Sequence, residues 1–131
     1  MGPGPTGVAV ECDGMRVAGI GCRAEAPQST LRNLLAEAGP LDLVAGLLTR
    51  SGQVQPVAAS LGLRFFAVSD TDLRGTITPT VSPRVGPRFG TGSIAEATAL
   101  IAAGRNARIV MLRLISPDST ATIAIAEGDG P

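Results

Sequence analysis

The sequence predicts a single α/β domain: a three-layer β-α-β-α-β sheet with covering helices and a C-terminal antiparallel hairpin. Three observations predict it. Short apolar runs alternate with helix-period segments up to Val68. Glycine and proline punctuate the joins. Two final apolar segments are separated only by the turn-forming Ser116-Pro117-Asp118-Ser119. Alternating strands and helices argue for a parallel sheet, and two strands joined by a short turn argue for a hairpin. A chain of 131 residues suits one packed core. With 44 % apolar and 17 % charged residues, it should fold rather than stay disordered.

The elements follow in order. Met-Gly-Pro-Gly-Pro-Thr at the start reads as disordered, and residues 1–14 as a flexible extension before a domain at 15–127 and a tail at 128–131. Residues 15–22 read as a buried strand, interrupted only by Gly19 and Gly21. Ala26-Pro27-Gln28-Ser29 announces a helix. Leu31, Leu34, Leu35 and Ala38 give it helical spacing, and Gly39-Pro40 ends it. Residues 43–49 are ambiguous between strand and helix end; a strand fits better, because a short helix at 54–61 and Gly62 follow. Arg64-Phe65-Phe66-Ala67-Val68 is a strand. Residues 76–92 carry Pro79, Pro83, Pro87, Gly86, Gly90 and Gly92, and read as a long functional or disordered loop. Ser93-Ile94-Ala95-Glu96 matches the capping box, with Ser at the N-cap and Glu at N3. That helix should stop at Gly104. Residues 108–115 and 120–126 form the hairpin.

What the chain lacks narrows its chemistry. There is no His, which removes Ser-His-Asp and Cys-His catalysis and histidine metal sites. There is no Lys either, so Schiff-base chemistry and a P-loop lysine are absent. All eleven cations are arginines, which keep their charge and bind carboxylates in a two-pronged way. Net charge is zero and aromatics are three Phe, so no footprint for nucleic acid exists. Cys12 and Cys22 make neither a zinc site nor a disulfide framework. No signal peptide and no apolar run of about 20 residues is visible, so no membrane partner is expected and the cytoplasm is the expected location. No cofactor or metal is expected.

Two glycine-bearing segments are the candidate working surface. Gly19-Ile20-Gly21-Cys22-Arg23-Ala24 formally matches the dinucleotide fingerprint G-x-G-x-x-A. In that motif the helix begins within the glycines, whereas here Ala26-Pro27 delays it. The glycines either let the strand pass close to a neighbouring backbone or let a ligand approach the strand's carboxyl end. Cys22 is a buried thiol or, with Arg23 beside it, a nucleophile. Phe89-Gly90-Thr91-Gly92-Ser93 ends at a helix N-terminus, where free N–H groups and the helix dipole favour an anion. Between residues 73 and 95 there are three arginines, Arg74, Arg84 and Arg88, and no acid, which suits a ligand with carboxylates or phosphates. Glu96 reads as a capping residue rather than an acid/base.

These segments resemble the CobE family, which matches the C-terminal domain of CbiG. Gly19-Ile20-Gly21-Cys22-Arg23 after a first strand resembles the family's opening. Leu61-Gly62-Leu63 before Arg64-Phe65-Phe66 resembles its helix-to-strand passage. Ser82-Pro83, Val85 and Gly90-Thr91-Gly92-Ser93-Ile94-Ala95-Glu96-Ala97 resemble its second signature, and Thr122-Ile123-Ala124-Ile125-Ala126 its last strand. The resemblance covers residues 15–126. It implies a role in cobalamin biosynthesis, in building the corrin ring. CbiG-type proteins are linked to opening the ring-A δ-lactone of cobalt-precorrin-5A with release of acetaldehyde. The family often has lysines in the strand leading into the last hairpin; here Val110-Met111-Leu112-Arg113-Leu114 offers one Arg.

The expected ligand is therefore a precorrin or corrinoid intermediate, with other corrin-pathway enzymes as further candidate partners. The expected binding residues are Gly19, Gly21, Cys22, Arg23, Ser82, Arg84, Gly90, Thr91, Gly92 and Ser93. Whether the chain is an enzyme stays open. The alternatives are a hydrolase of the cobalt-precorrin-5A type using Ser82, Ser93 or Cys22, and a nucleotide-binding α/β module.

Overall fold

The computed structural model describes residues 14–79 and 93–131. One five-stranded sheet organises them. Its strands are β1 (Met15–Cys22), β2 (Leu43–Leu47), β3 (Arg64–Val68), β4 (Arg108–Ile115) and β5 (Ala121–Gly128). Their spatial order is β3-β2-β1-β5-β4. β1, β2 and β3 are parallel neighbours, with Val17 opposite Leu43 and Leu43 opposite Arg64. The expected β-α-β-α-β half is therefore present. The hairpin is also present, and β5 rather than β4 joins it to the parallel half: β5 runs antiparallel to β1 from Met15 opposite Gly128 to Cys22 opposite Ala121.

Four helices are seen among the described residues: α1 (Gln28–Glu37), α2 (Ser51–Ser60), the short α3 (Asp70–Leu73) and α4 (Ile94–Ala103). α1 starts behind Pro27, whose φ of −66° suits a helix entry. It ends before Gly39, whose φ of +84° few other residues adopt without strain. The strand read at 43–49 ends at Leu47, and a 3₁₀ turn (Leu48–Arg50) leads straight into α2. α2 thus begins three residues before the expected Val54, and α3, capped by the Ser69 hydroxyl, was not anticipated.

Strand alternation assigns the two faces. Ala18, Ile20, Val44 and Ile123 pack against Leu31, Leu34 and Leu35 of α1 and Val54, Val57 and Ala58 of α2. Val17, Leu43, Ala45 and Ala126 pack against Ala99, Ala102 and Ala103 of α4. Leu47 and Val68 join Ala97 and Leu73 at the same face. The three layers are α1/α2, sheet and α3/α4. Alanines let α4 lie close, and Gly19 lets it lie closer still. A Cβ at Gly19 would fall on the Ala95 carbonyl and stand 2.7 Å from Ala99 N and Thr98 Oγ1.

Residues 128–131, read as a tail, are partly bound. Gly130 N donates to Ala103 O at 2.7 Å and Asp129 N to Arg105 O at 2.8 Å. No helix among the described residues is long and apolar enough to cross a membrane.

Candidate functional site

The carboxyl ends of β1 and β4 and the start of β5 meet at one rim of the sheet, and the N-terminus of α4 joins them. A pocket of about 410 Å³ opens there. It is lined by Gly21, Cys22 and Arg23 from β1 and its loop, Ser93 and Ile94 from α4, Arg113 and Ile115 from β4, and the turn into β5. That volume lies at the low end for small-molecule sites, which run roughly 300–1,000 Å³. The opening suits an edge or an arm of a larger ligand.

Each wall has a reason to stand where it does. Gly21 brings the floor down: a Cβ there would meet Thr122 Oγ1 at 2.9 Å and Ile94 Cβ at 3.5 Å. The loop after β1 is held from three directions. Arg50 Nε donates to Cys22 O at 3.0 Å. Gln53 Nε2 donates to Arg23 O and Ala24 O at 3.0 and 2.9 Å. Arg23 N donates to Thr120 O at 2.9 Å. Arg50 and Gln53 flank the start of α2, so the second β-α unit fixes the loop of the first.

The α4 entry is the expected cap. Ser93 Oγ accepts from Glu96 N at 3.3 Å. Glu96 does more than the capping reading assigns it. It is fully buried, and its Oε2 accepts from Arg113 N at 2.9 Å. Arg113 sits where β4 breaks register against β5, between Met111 and Leu114. A bulge leaves backbone groups without ladder partners, and the Glu96 carboxylate takes one of them.

The fourth wall is the hairpin turn. Asp118 gathers Ser116 Oγ at 2.6 Å, Thr120 Oγ1 at 2.7 Å and Thr30 Oγ1 of α1 at 2.7 Å. These donors hold its carboxyl far below the usual carboxylate range. The turn is thereby tied to α1.

The pocket's electrostatics are one-signed. Among the described residues, Arg23 and Arg113 line it and no carboxylate does. Arg23 approaches exposed Glu25 only at 4.0 Å, and Arg113 has no ion-pair partner among the described residues. Cys22 is half-buried. Burial pushes its thiol up, and the Arg50 charge partly offsets this, so it is a poor thiolate at neutral pH. The Ser93 hydroxyl is buried and serves the cap. No group of three or more His, Cys, Asp or Glu that could hold a metal exists among the described residues.

Of the ten expected binding residues, Gly21, Cys22, Arg23 and Ser93 line this one pocket. Gly19 does not: it is the seat of α4, the close-backbone alternative read from the sequence. Ser82, Arg84, Gly90, Thr91 and Gly92 lie outside the described residues. The dinucleotide geometry is absent, because the helix after β1 begins only at Gln28, behind Pro27. Sequence reading missed Arg50, Gln53 and the pocket role of Arg113. The signal for Arg113 was available: it is the only charge in the apolar run 109–115.

The fold and rim define the class: a three-layer α/β domain with a cationic pocket where parallel and antiparallel halves of one sheet meet. The sequence profile described as Cobalamin synthesis G C-terminus matches residues 16–126, and the chain belongs to that family. It is a protein of the cobalamin biosynthesis pathway. Among solved structures it is similar to CobE, a protein from the cobalamin (vitamin B12) biosynthetic pathway, at 25 % identity and a TM-score of 0.71, over 87 % of this chain and 90 % of that one. It is similar to the cobalamin biosynthesis protein ChiG of Agrobacterium tumefaciens at 31 % identity and a TM-score of 0.66, over 85 % of this chain and 96 % of that one. A cobalamin biosynthesis protein G homolog of Sulfolobus solfataricus shares the fold at 22 % identity and a TM-score of 0.66, over 86 % of this chain and 36 % of that longer one. No curated protein sequence matches the chain.

Proposed function

We propose that this chain binds a precorrin or corrinoid intermediate of corrin ring formation at the rim pocket. One observation carries the reading: among the described residues, two arginines, hydroxyls and apolar Ile94 and Ile115 line the pocket, with no carboxylate. Corrin precursors are broad macrocycles fringed with carboxylates. Guanidinium groups suit the fringe, and the isoleucines suit the ring. Binding fits better than catalysis. No lining residue is a usual general base, the Cys22 thiol is held protonated, and the Ser93 hydroxyl is engaged. Other corrin-pathway enzymes, in the cytoplasm, are the natural donors and acceptors of such a ligand.

Titration of the purified protein with hydrogenobyrinic acid, followed by the visible spectrum, tests this. A saturable spectral change is expected. No binding at tens of micromolar overturns the reading. Release of acetaldehyde from a precorrin-5 substrate would replace binding with lactone hydrolysis.

A further inference from the structure

The hairpin turn holds one residue in a conformation that suits it badly. Ser119 has a φ of +62°, in the left-handed region that favours glycine. Glycines hold the other positive-φ positions among the described residues, except for Asn106. Asparagine tolerates that region, and the Asn106 amide donates to Asp129 Oδ2 at 2.9 Å. Ser119 has no such account. Its backbone N donates to Ser116 O at 2.9 Å to close the turn, a bond that glycine would make equally well. Its hydroxyl has no partner among the described residues.

Ser119 also lines the rim pocket, together with Ser93, Thr120 and Thr122. Those three hydroxyls are already engaged by the fold. Ser93 Oγ accepts from Glu96 N at 3.3 Å, Thr120 Oγ1 donates to Asp118 Oδ1 at 2.7 Å, and Thr122 Oγ1 donates to Gly21 O at 3.3 Å. Among the described lining hydroxyls, only that of Ser119 is left free. Its backbone is fixed on both sides. Asp118 before it holds Ser116 and Thr30, and Thr120 after it accepts from Arg23 N at 2.9 Å. An unfavourable backbone conformation kept in a pocket wall points to a use for the side chain that imposes it.

We infer that the Ser119 hydroxyl is a ligand contact of the rim pocket, hydrogen-bonded to an oxygen on the ligand's edge. This rests on the binding reading above and adds a residue to it. The hydroxyl donates equally well to a carboxylate, carbonyl or hydroxyl oxygen, so the contact raises affinity without choosing among them. Serine at this position lowers fold stability and strengthens binding. Glycine would relax the backbone and remove the hydroxyl, so stability and affinity should move in opposite directions.

The test measures urea unfolding and hydrogenobyrinic acid binding, by the visible spectrum, for the natural chain, S119G, S119A and N106G. S119G should raise the urea midpoint at unchanged slope and weaken binding about fivefold, the size of one net hydrogen bond. S119A loses the hydroxyl but keeps the unfavourable backbone. It should match the affinity loss of S119G with a midpoint no higher than the natural one. N106G relieves a left-handed position that does not line the pocket, and should change affinity less than about twofold. Natural affinity in S119G or S119A overturns the inference and leaves the binding reading standing. A loss in S119G alone assigns the effect to a looser turn and likewise overturns it, as does an S119G midpoint that fails to rise. A natural chain that binds no hydrogenobyrinic acid at tens of micromolar overturns both readings.

Discussion

Substituting Gly19→Ala should separate α4 from the sheet, and the structure sets the size of the effect. The added Cβ would meet Ala95 O, Ala99 N and Thr98 Oγ1, the last two at 2.7 Å, against 3.4–4 Å for ordinary contact. Two of these are backbone atoms and cannot rotate away. The helix must therefore retreat by at least about 0.7 Å, a gap that forfeits roughly a quarter to a half of each dispersion contact. Five buried alanines of α4 share the loss: Ala95, Ala97, Ala99, Ala102 and Ala103. At about 0.8 kcal/mol per buried methyl, their packing amounts to about 4 kcal/mol. Losing part of it costs about 1–2 kcal/mol, and overpacking strain adds about 1–3 kcal/mol. The expected destabilisation is about 3 kcal/mol, read by urea unfolding as a lower midpoint at unchanged slope. Gly52→Ala is the control. It lies in α2 with nothing within 4 Å of its Cβ position, and should stabilise by about 0.4–1 kcal/mol. A loss below about 1 kcal/mol for Gly19→Ala would refute the idea that this glycine seats the helix.

Further consequences can be measured. Asp118→Asn should lower stability at neutral pH by loosening the turn from Thr30. Because the folded carboxyl is depressed, its contribution is present above the unfolded value of about 3.9 and is lost as pH falls toward the folded one. The gap between variant and natural chain should shrink below about pH 4; a gap unchanged from about pH 6 to 3 would contradict this. In a Cys12→Ser background, Cys22 should react with maleimide more slowly than a free thiol, with a pH midpoint above that of a free thiol. A midpoint near 7 would show an activated thiol instead. Gln53→Ala removes two hydrogen bonds to the Arg23 loop and should cost about 1 kcal/mol in urea unfolding while weakening acid-ligand binding several-fold. Unchanged affinity would mean the loop does not depend on α2.

Much of the fold was legible because local signals agreed. Apolar runs at β1 and β3, Gly39 after α1 and Ser93 before α4 mark element ends with chemistry that needs no tertiary knowledge. The start of α2 was not legible, since Ser51-Gly52-Gln53 carries no apolar periodicity and is carried into the helix by the preceding 3₁₀ turn. The placement of β5 beside β1 was equally hidden: it rests on the pairing of residues about a hundred positions apart. The site shows the same division. The Gly21-Cys22-Arg23 loop and the Ser93 cap could be read off the chain. The division of labour between Gly19 and Gly21 could not, because strand alternation turns both toward α4 and only the helix path decides which one lies beneath it. Arg113 stands out as a lone charge, but its place in the pocket needed the bulge and a contact to Glu96 that the capping box does not announce.

The position of β5 between β1 and β4 also sets a schedule. The first two-thirds of the chain can build the parallel half and its helices, yet β1 then ends in an open edge. The rim pocket needs β5 in place, since Thr120, Ala121 and Thr122 form its middle. During synthesis the rim pocket therefore cannot exist until β5 has left the ribosome and paired with β1. Long-range strand insertion of this kind is slow, and until it is finished the open edge of β1 is available to other chains.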